Sequence, residues 1–248
     1  MEGRSMTEAL PFGGELSLRL SWGPRGEGLD AVGAKLRATD AVVRRLHAPF
    51  GRSLAVVDPD GNALGTVPDL ADTALVSALE LGVARNEDGA PLPQDGYSVR
   101  LETAPGATLS GRVVGRFAAT RSRFSAGNRL SVSVSQTFSD ELIGTGFFAE
   151  DGGVGVLREL VAIWEPDTAG VFLAEAEDVF LDLELSIELG VVTYLAARDV
   201  STSELVRTTE SDGGTWIEVV GAATATGLDD LVGTIVRASG AVHRSRRR

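Results

Sequence analysis

The sequence predicts an α+β fold of mostly antiparallel sheets with flanking helices. Two similar strand–helix–strand halves are an open variant of it. Three observations lead there. Short apolar/polar alternations recur along the chain, segments with helical three-, four- and seven-residue spacing fall between them, and Gly/Pro/Asp/Asn clusters separate the two kinds.

Leu16, Leu18, Leu20 and Trp22 alternate with polar residues, as a half-buried strand requires, and Gly23-Pro24 stops it. A helix over 29–47 follows from Leu29, Val32, Leu36, Val43 and Leu46. Ser53–Val57 reads as a strand, and Asp58-Pro59-Asp60-Gly61-Asn62 as a turn. A second helix spans 69–81, with Asp69 as N-cap and Gly82 as stop. Residues 86–96 form a polar loop. Alternation then predicts strands at Ser98–Glu102, Arg112–Ala118 and Arg129–Ser135. Gly144–Gly155 reads as a loop, 154–164 as a helix ended by Pro166, and Val171–Ala174 as a strand. Val179–Glu188 fits a strand or a helix. Val191–Ala196 and Trp216–Val220 are further strands, and a helix covers 228–238. Strand–helix–strand over 16–57 echoes strand–helix–strand over 130–174. We expect a disordered N-terminal segment over 1–14, a single α+β domain over 15–240 and a basic tail over 241–248.

Composition narrows the chemistry. The chain has 248 residues, a net charge of −12 and no cysteine, which excludes a disulfide framework, a thiolate nucleophile and a cysteine zinc site. His47 and His243 are the only histidines, too few for a three-histidine metal centre within one chain. No cofactor and no metal are expected. No apolar run suits a signal peptide or a transmembrane helix, so a cytoplasmic protein with no membrane partner is expected.

The charge is concentrated. Between Ser131 and Ala197 stand 13 acidic residues and one basic residue, Arg158, so this window alone carries −12 and the remainder is neutral. Such a field repels nucleic acid and attracts a basic protein surface. The plain alternative is a solvated acidic face.

Catalytic motifs are weak. Counted from Asp58, a calcium loop would need Gly and Glu where Ala63 and Asp69 stand. Gly152-Gly153-Val154-Gly155 lacks the residues of a phosphate loop and follows Glu150 and Asp151. No G-x-S-x-G elbow is present. On a strand, Glu175 and Glu177 would share a face about 7 Å apart, which keeps open an enzyme using clustered carboxylates on a cationic or sugar substrate. A structural or assembly protein is the third class. Trp22 and Trp164 each close an apolar element, as core-edge residues or as interface anchors.

Three segments carry a resemblance. Ser21-Trp22-Gly23-Pro24-Arg25 after the opening strand, Leu157–Asp167 ending in Trp164-Glu165-Pro166-Asp167, and Gly190-Val191-Val192-Thr193-Tyr194-Leu195 resemble, in order, elements of the immunity protein 52 family of bacterial polymorphic toxin systems. Val191 stands where that family has Trp. The resemblance implies a non-enzymatic immunity protein that neutralises a cognate toxin by stoichiometric binding. It implies a restriction-endonuclease-fold nuclease as the toxin, in some members delivered by type VI secretion. A nuclease cleft that holds phosphates is basic, so the acidic window is the matching surface. The residues expected at the toxin are Trp164, Glu165, Asp167, Glu175, Glu177, Asp178, Asp182 and Glu184.

Overall fold

A computed structural model describes residues 16–45, 54–103, 111–118, 127–134, 153–173, 189–196, 203–222, 225 and 228–241. The described chain runs β1 (Leu16–Trp22), α1 (Leu29–Val43), β2 (Leu54–Val57), β3 (Ala63–Thr66), α2 (Asp72–Leu81), β4 (Tyr97–Thr103), β5 (Gly111–Phe117) and β6 (Asn128–Val134). It continues with α3 (Gly153–Trp164), β7 (Thr168–Leu173), β8 (Val192–Leu195), β9 (Val206–Ser211), β10 (Gly214–Val219) and α4 (Leu228–Ala241). The ten strands form one sheet in the order β3-β2-β4-β5-β6-β1-β7-β8-β10-β9. Every neighbouring pair is antiparallel.

This is the expected α+β class, in one sheet. The echoing segments are interleaved: β1, from the first, lies between β6 and β7 of the second. Each successive strand residue faces the opposite side of the sheet. Leu18, Leu20, Val99, Leu101, Val113, Leu130, Val132 and Val171 point one way into the main core. Helices α1 and α3 pack on each other, α1 also meets α2, and α3 touches β1 and β7. Val32, Leu36 and Val43 of α1 and Leu157, Leu160 and Trp164 of α3 supply the helical side of this core. Strands β8 and β10 are buried on nearly every residue, on both faces. Arg158 of α3 lies over the Trp216 ring on one face, at 5.0 Å.

Several boundaries depart from expectation. Helix α1 ends at Val43, four residues early. Helix α2 starts at Asp72, with Ala71 rather than Asp69 at the N-cap. The Asp69 carboxylate instead accepts the Thr66 hydroxyl hydrogen, and Arg37 Nη1 donates to Val67 O at 2.6 Å, so the approach to the helix is held by other groups. Gly153 and Gly155 lie in α3, not in a loop. Strands β3 and β9, the two sheet edges, were not anticipated. Asp58–Asn62 is the turn it was read as: Asp58 Oδ1 accepts the Asn62 N–H at 2.7 Å, and Gly61 adopts φ 91°. Val179–Glu188, His47 and His243 lie outside the described residues.

Candidate functional site

Three of the expected contact residues meet in one corner, where α3 turns into β7. Trp164 is fully buried, at 0% exposure. Its Nε1–H donates to Thr39 Oγ1 of α1 at 2.8 Å. Its ring stacks on Phe117, with centroids 5.1 Å apart and planes 13° off parallel, and leans on Trp22 at 5.3 Å. Lys35, paired with Glu27 at 2.6 Å, caps the cluster from 5.4 Å. A side chain with no exposed surface is no docking anchor. Trp164 is a core tryptophan, and that expectation is corrected.

Glu165 and Asp167 are exposed. Glu165 takes a left-handed backbone, φ 45°, that swings the chain out of α3. Arg25 fixes the swing by donating from Nη1 to Trp164 O at 3.0 Å and from Nη2 to Glu165 O. Asp167 Oδ2 accepts the Gly23 N–H at 2.8 Å, and its own N–H donates to Ser21 O at 2.9 Å. Ala196 N–H donates to Asp167 O at 2.9 Å. The Trp22-Gly23-Pro24-Arg25 turn, the Trp164–Asp167 turn and the end of β8 are therefore tied at one point. Glu175, Glu177, Asp178, Asp182 and Glu184 lie outside the described residues.

That corner is one end of a groove of about 940 Å³ across the sheet face opposite the main core. Sequence reasoning missed this groove. Its floor is the outward set of residues on β4, β5, β6, β1 and β7. Register places Ser98, Arg116, Arg129, Ser21 and Thr168 in one row across five strands. The next row holds Arg100, Val114, Ser131 and Arg19, and the third Glu102, Arg112, Ser133 and Ser17. Arg100 pairs with Glu102 within the face. Arg19 lies over Phe172 at 5.5 Å and donates to Ser17 Oγ at 2.9 Å. Arg112, Arg116 and Arg129 line the groove and are exposed, and Asp167 is the one carboxylate among the lining residues. The sequence carries only the composition of this face, since serine and arginine fill most of the outward positions of β1, β4, β5 and β6, and not the register that joins them.

No protein-family model matches the chain, and no curated protein matches it. Among solved structures, it is similar to the T6SS protein PA0821 of Pseudomonas aeruginosa, with a TM-score of 0.45 and 10% identity over 83% of this chain and 69% of that one.

Several of the described carboxylates are engaged in structure. Asp40 of α1 is buried, accepts the Leu54 N–H at 2.8 Å and meets Arg44 at 3.2 Å. Burial raises its pKa above the ordinary 3.8, against the lowering effects of the Leu54 amide and Arg44. Glu159 of α3 pairs with Arg45, just beyond the end of α1. Tyr194 donates its hydroxyl hydrogen to Asp212 O at 3.1 Å, and burial with the Asp212 charge raises its pKa. Among the described residues, no three His, Asp or Glu side chains gather as metal ligands do. The groove holds hydrogen-bond donors and one occupied carboxylate. Among the described residues, the groove lining offers no second acid for a two-carboxylate acid–base pair.

Proposed function

We propose that this chain is an immunity protein that neutralises a cognate bacterial toxin by stoichiometric protein–protein binding. It acts without catalysis or cofactor, in the cytoplasm of the producing cell. The observation that carries the proposal is the concentration of charge along the sequence: the window from Ser131 to Ala197 carries −12 while the rest of the chain is neutral. A stretch so rich in carboxylates is suited to recognising a basic surface. The three segments that resemble the immunity protein 52 family support it; the first two are hydrogen-bonded at one corner of the fold, where Ala196, the residue after the third, donates to Asp167 O. The toxin partner on this reading carries a basic cleft, as a nuclease of restriction-endonuclease fold does, and delivery by type VI secretion fits the same reading.

The test is co-expression with the toxin encoded beside this gene. Growth is expected to be rescued, and a one-to-one complex is expected on size exclusion. Unrescued growth with no complex overturns the proposal.

A further inference from the structure

We infer that the open face of β4, β5, β6 and β1 docks an acidic polypeptide segment of a protein partner, through Arg112, Arg116, Arg129 and Val114. The inference rests on the arginines of this face and stands whether or not the proposed function holds.

The first ground is charge. Arg116 stands directly opposite Arg129 in the β5–β6 register, on the same face. Like charges directly opposite each other destabilise a sheet pair, and an anion beside the Arg129 guanidinium offsets that repulsion. Arg112 stands two rows away, opposite Ser133, and neither the Arg112 nor the Arg129 side chain has a hydrogen bond or ion pair among the described residues. Serine hydroxyls flank the guanidinium groups. Ser98 is opposite Arg116, and Ser21 is opposite Arg129. A guanidinium beside hydroxyl donors is a carboxylate receptor, because its fork matches both carboxylate oxygens.

The second ground decides the class of anion. Val114 sits between Arg112 and Arg116 on one strand and is 38% exposed, among the few large apolar side chains that the described surface shows. The sequence of the face along β5 is therefore cation, apolar, cation, with the cations about 13 Å apart. An extended peptide with acids at i and i+4 and an apolar residue at i+2 complements it. A phosphate ion makes no use of the valine. A nucleic acid would need a stacking platform, and Trp22, the one aromatic residue lining the groove, is buried at 3% exposure. The chain's net −12 also opposes a long polyanion.

The experiment uses the full chain and a fluorescein-labelled peptide of two Glu-Ser-Leu-Ser-Glu repeats, read by anisotropy at low salt. A peptide with Gln for every Glu and a ten-nucleotide single-stranded DNA serve as comparisons. The Glu peptide is expected to bind at least about tenfold tighter than the Gln peptide. Arg112→Ser with Arg129→Ser is expected to weaken it by about tenfold or more, and Val114→Ser by about threefold, with unchanged circular dichroism. Equal binding of the two peptides by the native protein overturns the inference, as does undiminished binding by a folded double variant. Tighter binding of the oligonucleotide also overturns it and assigns the face to nucleic acid.

Discussion

Trp164 shows how one side chain joins three elements. Its indole touches Phe117 of β5 and Trp22 of β1, and its N–H reaches Thr39 of α1. Trp164→Phe keeps a ring but loses that hydrogen bond and leaves a void. We expect a loss of about 2 kcal/mol, measured by urea unfolding, with partner binding unchanged. Weakened binding at undiminished stability would restore the surface-anchor role. Asp40 adds a pH signature. Its folded pKa lies above 3.8 because burial penalises the charge. Above the folded value the buried charge lowers stability. As pH falls through the folded value and then through 3.8, the folded protein takes up its proton first, and the penalty disappears. Asp40→Asn removes the penalty at every pH. The unfolding free energy of the native protein relative to Asp40→Asn should therefore rise as pH falls toward 4. A flat or falling difference in paired urea titrations would contradict the buried-charge account.

At the scale of elements, Gly82 was legible as the stop of α2, but for a different reason than helix termination alone. Its φ is −84°, within reach of any residue. What demands glycine is the close approach of β4: an added Cβ would sit 1.8 Å from Ser98 O, while Ser98 N–H donates to Gly82 O at 2.8 Å. Two backbones held that closely have no flexible side chain to move. Gly82→Ala should cost about 3 kcal/mol and lower the melting temperature, and a neutral substitution would mean that α2 and β4 slide apart freely. The same contrast runs through the fold. Strands with one apolar face, such as β1, β4, β5 and β6, announce themselves by period two. Edge strands do not. β9 reads Val-Arg-Thr-Thr-Glu-Ser, and β3 reads Ala-Leu-Gly-Thr with a register shift in its pairing, so neither carries the alternation that burial imposes. The N-terminus of α2 was misplaced because Asp69 found a nearer partner in Thr66.

For the whole molecule, the class of fold was legible and the groove was not. Periodicity reports which residues go inside, whereas the groove is built from residues that go outside and are joined only by register across five strands. Ser21, Ser98, Arg116 and Arg129 are spread over more than a hundred positions of sequence, and nothing local marks them as neighbours. The charge window, by contrast, is a property of composition and needs no fold to be seen. It makes a kinetic prediction. If the field of those carboxylates draws a basic toxin, it acts on encounter more than on residence. Converting Glu175, Glu177, Asp178 and Asp182 to their amides removes four of the twelve net charges at little change in volume. Association with the cognate toxin should slow by about tenfold at low ionic strength, with a much smaller change in dissociation. The difference should shrink as salt rises, because at about 1 M the screening length falls to about 3 Å. Stopped-flow association rates across a salt series read this directly. An amide variant that associates as fast as the native chain, or faster, would show that the partner approaches along another surface.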